Sequence, residues 1–280
     1  MVLDMEVCAA AIEGDIDAVK AWFDADPSRD MNDFAQFPGS DLRFTLLAVV
    51  VHAEASDAQL ATIRWLIAHG ADPTVYDPGS LTPLYIATAC NNLGEHTLAM
   101  VSTLLEAAPL ERQISAGMTH LRSPIMNGFD LNTENNAGPS ESTVVEVIRM
   151  LLRAGAPLDD YANYSGEGRR FLADEALRLG ERKSPLLARN EAFVEAKALI
   201  SGVRACGGSW KSYCRLPHKE VLRLRSLLSR GRARPRREPK LERDILEKRA
   251  AAAYRSIVFL CKLGDNGVVW KILEFWQATR

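Results

Sequence analysis

Apolar residues recur along the chain in short blocks, and the polar residues between the blocks are mostly turn formers. The clearest case runs from Ile63 to Cys90. The run "IRWLIA" stops one residue before Gly70, where a left-handed helix terminus needs a residue without Cβ. Asp72-Pro73, Asp77-Pro78, Gly79 and Ser80 follow as turn chemistry. Thr82 then precedes Pro83, an N-cap followed by the residue best tolerated at the first helical position. The pattern predicts a helix ending at Gly70, a long turn, and a helix starting after Thr82.

The same order returns elsewhere. "LLRAGAPLDDY" at Leu151 echoes "LIAHGADPTVY" at Leu66, while "VKAWFDADP" at Val19 and "VSTLLEAAP" at Val101 hold the same phase without the glycine. Weaker copies of the helix start lie at Phe44 ("FTLLAVVV") and Arg122 ("RSPIMNGF"), and "VCAAAIEGD" at Val7 keeps the small residues and a glycine. A helical unit repeated at this spacing cannot bury its apolar stripe alone and must stack on its neighbours. Ala10, Ala11, Val50, Ala87 and Ala89 are expected at close helix crossings. Trp22, Phe23, Trp65, Leu66, Leu104, Leu105, Leu151 and Leu152 are expected to fill the layer between them.

Gly70, Ala71, Asp72, Pro73, Asp77, Thr82, Pro83, Leu84 and Ala87 stand in register with the ankyrin pattern, and the chain resembles an ankyrin-repeat protein. Tyr85 replaces the motif histidine, Leu46 and Ala48 follow Thr45 where proline and histidine would stand, and Ser123-Pro124-Ile125 is a looser version. The likeness is clear from about residue 3 to 160 and continues in degenerate form to about 205. It implies an all-α solenoid over residues 1–180, with four units and a degenerate fifth in which Leu172 and Ala173 are in phase for a first helix. The family unit is about 33 residues. Leu66, Leu104 and Leu151 are 38 and 47 apart, which places insertions between the paired helices: "HAEASDAQ", "NNLGEHTL" and "NGFDLNTENNAGPSES".

The resemblance further implies a protein-protein interaction scaffold, binding its partner along the concave strip of turns and first helices. Tyr76, Asp77, Ser80, Leu81 and Tyr85 are the candidate contacts, a mixed aromatic and polar set around the best-preserved helix start. Packing of Tyr76 and Tyr85 on neighbouring turns is the competing reading.

Residues 181–280 read as a C-terminal helical region, with helices over Pro185–Cys206, Ser209–Ser229, Leu241–Leu263 and Val268–Ala278. Between Arg215 and Arg249 thirteen bases face five acids, although the whole chain carries a net charge of only -2. The aperiodic stretch 230–240 reads as a basic linker, with a nuclear-import signal or a nucleic-acid patch as alternatives; a nucleic-acid partner is the less favoured. The tail "KLGDNGVVWKILEFW" faintly resembles the opening of an F-box. That likeness implies a second reading, a substrate-binding adaptor docking on a ubiquitin-ligase scaffold, and competes with a terminal cap on the helical layer.

Composition narrows the function classes. With 47% hydrophobic and 25% charged residues the chain has ample material for a core. No apolar run approaches the ~18 residues of a membrane span, and "MVLDMEVCAA" carries acids where a secretory signal would carry bases, so cytoplasm or nucleus is expected. The five widely spaced cysteines fit reduced thiols. No phosphate-cradling glycine loop, zinc-protease motif or nucleophile elbow occurs, and no enzyme activity or cofactor is expected. Cys206, Cys214 and His218 are the nearest approach to a metal set, but they lack a fourth ligand, and no metal is expected.

Overall fold

A computed structural model describes residues 2–36, 43–53, 55–75, 81–89, 95–113, 120–129, 141–162 and 169–229. The structure is mostly helical. It divides into two units, Met1–Trp210 and Lys211–Arg280.

In the first unit the helices come in pairs: α1 (Met5–Glu13) with α2 (Ile16–Asp24), α3 (Leu46–His52) with α4 (Asp57–Ala68), and α5 (Pro83–Ala89) with α6 (Glu95–Ala107). The short helix α7 (Leu110–Gln113) precedes the pair α8 (Arg122–Gly128) and α9 (Glu141–Arg153), and α10 (Ala173–Lys183) pairs with α11 (Glu191–Ala205). First helices pack on first helices in the order α1, α3, α5, α8, α10. Second helices follow suit in the order α2, α4, α6, α9, α11. The second unit is described through α12 (Trp210–Ser229).

Side-chain caps start many of these helices. Asp15 accepts the Ala18 N–H at 3.0 Å, Thr45 that of Ala48 at 3.2 Å, and Thr82 that of Tyr85 at 3.2 Å. Each satisfies one of the amides that a helix N-terminus leaves without an internal partner. The helix ends repeat as well. After α4 the Ala71 N–H donates to the Leu66 carbonyl, after α9 the Ala156 N–H to Leu151, and after α11 the Gly208 N–H to Val203, at 2.9, 2.9 and 3.0 Å. Gly70, Gly155 and Gly207 supply the left-handed residue that this closure requires, with φ of 103°, 101° and 81°. Gly14 between α1 and α2 is also left-handed, and a Cβ there would lie 2.6 Å from the Ala58 Cβ.

The core runs through the pairs: Leu46, Leu47, Ile63, Leu66, Leu84, Leu104, Ile125, Ile148 and Phe193 are among its fully buried side chains. Truncating any of these to alanine leaves a cavity, at about 2–5 kcal/mol each. Trp22, Trp65 and Leu105, expected in the layer between helices, are only half-buried. The Trp65 ring stacks on His69 with centroids 4.2 Å apart, and the Arg29 guanidinium lies 3.8 Å over the Trp22 ring.

Several features depart from the sequence pattern. Strands occur where the pattern predicts none, and Leu172, expected in phase for a first helix, ends a strand instead. β1 (Val2–Leu3) pairs in parallel with β2 (Phe34–Gln36), which pairs antiparallel with β3 (Arg43–Thr45); β4 (Asp159–Ala162) pairs antiparallel with β5 (Arg169–Leu172). β3 leads directly into α3 and β5 into α10. The expected insertion after α3 is short, because Asp57–Gln59 already belong to α4 behind the Ser56 cap. Position 180, read as a boundary, falls inside α10. The helix expected over Pro185–Cys206 is split by Asn190, whose carboxamide accepts the Phe193 N–H at 2.9 Å and begins a new helix after a 3-10 turn at Pro185–Arg189. The helices expected at 241–263 and 268–278, the F-box-like tail and the basic linker 230–240 lie outside the described residues.

Candidate functional site

Of the five candidate contacts, Tyr76, Asp77 and Ser80 lie outside the described residues. Leu81 and Tyr85 lie just before and inside α5, and both are half-buried. The Tyr85 amide is held by Thr82, and its carbonyl accepts the Thr88 hydroxyl at 3.0 Å. The backbone that presents the phenol is therefore fixed at both ends.

Behind Tyr85 lies a buried polar network that sequence pattern does not reveal. The Thr82 hydroxyl, besides capping α5, donates to the Gln113 backbone carbonyl at 3.1 Å. His120 Nε2 approaches the same oxygen at 3.0 Å. A carbonyl accepts only, so Nε2 carries the hydrogen and Nδ1 the lone pair. The Gln113 side-chain amide in turn donates to the Leu104 and Ala108 carbonyls at 2.9 and 2.6 Å, which closes the end of α6. All three residues are buried. Burial pushes the His120 imidazole down to about 4 against a smaller opposing effect of its bond to Gln113, so the ring is neutral near pH 7.

The turns are joined across successive pairs. Asn32, after α2, donates its amide to the Gly70 carbonyl at 3.2 Å and accepts the Asp72 N–H at 2.8 Å. Asp26 and Asp72 make the same local bond, to the Ser28 N–H at 3.0 Å and the Thr74 N–H at 2.8 Å, within the matching segments "ADPS" and "ADPT". Asp26 also accepts the Ser28 hydroxyl at 2.7 Å, and these bonds from Ser28 hold its carboxyl below the usual range.

The first helices differ in what they offer a partner. In α3 every side chain from Leu46 to Val51 is buried, and only His52 is exposed. In α5 and α8, Tyr85 and Met126 are half-buried. In α10, Glu175, Arg178, Leu179 and Arg182 are exposed. Among the described residues of these four helices, exposure is thus concentrated on α10.

Cys8 is buried, and burial, reinforced by Asp4, pushes its thiol up to about 11, which makes it a poor nucleophile. Cys206 and Cys214 are half-buried. Among the described residues no three His, Cys, Asp or Glu side chains converge as a metal set, and no helix is long and apolar enough to cross a membrane. No protein-family model matches the chain, and no curated protein matches its sequence.

Proposed function

We propose that the chain is an ankyrin-repeat protein that acts in the cytoplasm or nucleus as a protein-protein interaction scaffold. The observation that carries this reading is the succession of helix pairs in which first helices pack on first and second on second. The shared closure after α4, α9 and α11 supports it, as do the buried Thr45, Thr82 and Ser123 at the starts of α3, α5 and α8. Such a frame holds its exposed side chains in fixed positions, so little ordering entropy opposes binding. The partner contacts Tyr76, Asp77, Ser80, Leu81 and Tyr85: the tyrosines give contact area at low rotamer cost, and the aspartate gives charge selectivity.

The test begins with affinity purification and mass spectrometry to identify the partner, followed by titration of the purified pair. Tyr76→Ala combined with Asp77→Ala weakens binding at least about tenfold, or 1.4 kcal/mol, at unchanged helicity and melting temperature. Full affinity in a folded double variant would move the site off this turn.

A further inference from the structure

The first helix pair carries a face that nothing among its packing neighbours uses. On α1 the buried residues Val7, Cys8 and Ala11 lie on one side, and Met5, Ala9 and Ile12 form an exposed stripe on the other. Met5 is 39% and Ile12 41% exposed. At about 100° per residue these three positions fall within one narrow sector, and Glu6 and Glu13 flank it on a single side. The surroundings are strongly acidic. Up to Gln36 the chain carries nine acids against two bases, and both bases are engaged locally, Lys20 with Asp17 at 3.3 Å and Arg29 with Trp22 and Asp26.

α12 presents the converse. Leu216 is 42% exposed, and Arg215, Lys219 and Arg223, all exposed, occupy the sector adjoining it on one side. On α1 three exposed apolar residues stand beside an acidic flank, and on α12 an exposed leucine stands beside a basic one.

We propose that a second copy of the chain covers the α1 face, laying the basic flank and Leu216 of its α12 against Glu6, Glu13, Met5 and Ile12. This follows from the two exposed faces alone and stands whether or not the repeats bind another protein. The contact is heterologous, since each copy offers one face of each kind, so association continues beyond a dimer unless the rotation closes a ring. Opposite charges at such a contact raise the encounter rate and make the affinity fall with salt.

The experiment is sedimentation velocity on the full chain from about 10 to 200 µM, at about 50 and 500 mM NaCl. We expect mass that rises with concentration at low salt and at least about tenfold weaker association at high salt. Glu6→Lys with Glu13→Lys abolishes the association, as does Lys219→Glu with Arg223→Glu. Mixing these two variants restores it, because the charges are again complementary. A chain that stays monomeric at low salt overturns the proposal, and so does association that ignores salt or charge reversal. The substituted positions are exposed, and circular dichroism confirms that each variant is folded. Should one fail to fold, the salt dependence of the unaltered chain decides the matter.

Discussion

The starts of α5 and α10 occupy the same place in their helix pairs, and they are held by different means. At α5 a single hydroxyl, that of Thr82, caps the helix and reaches the Gln113 carbonyl, with His120 on the same oxygen. At α10 the cap position is Leu172, which has no polar atom to offer its side of the helix. There the Ala173 N–H donates to the Leu158 carbonyl at 3.1 Å, and Arg204 of α11 binds both carboxylate oxygens of Asp159 at 3.0 and 2.6 Å while its Nε faces Asp174 as an ion pair. The bond to Asp159, with the charge of Asp174 behind it, raises the Arg204 guanidinium above its ordinary value. One helix start is thus secured by neutral hydrogen bonds in the interior, the other by charges near the surface. The same geometry can be reached by chemistry that responds to different conditions.

The largest expected effect uses acid to attack the interior set. His120 has a folded value near 4, below the ordinary 6.5, so its contribution is complete above about pH 6.5 and is lost as pH falls through 4. The loss approaches roughly 3 kcal/mol at the acid end. Melting temperature measured between pH 7 and 4 therefore falls more steeply for the native chain than for His120→Gln; parallel curves would show that the imidazole does not titrate in this environment. Next in size, Thr82→Val keeps the shape and removes both hydrogen bonds, at a cost of about 2 kcal/mol that added salt does not change. Chemical denaturation at two ionic strengths checks both parts of that expectation.

The surface set should behave in the opposite way. The Arg204 side chain is 38% exposed, so solvent screening limits the loss in Arg204→Met to about 1 kcal/mol, and the loss shrinks as salt rises. A salt-independent loss larger than that of Thr82→Val would reverse the comparison. The smallest effect is a gain. Leu172→Thr gives α10 the hydroxyl that α5 already has, on backbone in the extended region, and adds about 0.5 kcal/mol. An unchanged or lower melting temperature would mean that the lost leucine packing outweighs the cap.

This contrast also explains what could be read from the chain. Gly70, Thr82 and Pro83 act on amides within a few residues of themselves, so their spacing marks the end of α4 and the start of α5 directly. The fifth pair looked degenerate because Arg204 and Asp159 are 45 residues apart, a relation that no local pattern carries. For the same reason α11 was read as part of a separate C-terminal region, although "VRACGGS" closes on Val203 as "LIAHGAD" closes on Leu66. Near the candidate site, the placement of Leu81 and Tyr85 at the start of α5 is legible from the Thr-Pro pair. The supporting Gln113 and His120 were not, because a buried glutamine and histidine in an irregular stretch carry no periodic signal.

Asn32 joins two turns with an amide that both gives and takes a hydrogen, to Gly70 and from Asp72. Asparagine is among the less durable side chains. Hydrolysis to aspartate would keep the oxygen facing Asp72 but set a second acceptor against the Gly70 carbonyl. The join between the first two turns therefore has a chemical lifetime as well as a strength. In stored or heated material it is a place where ageing would loosen the turn leading to Tyr76 and Asp77 without any change in the encoded sequence.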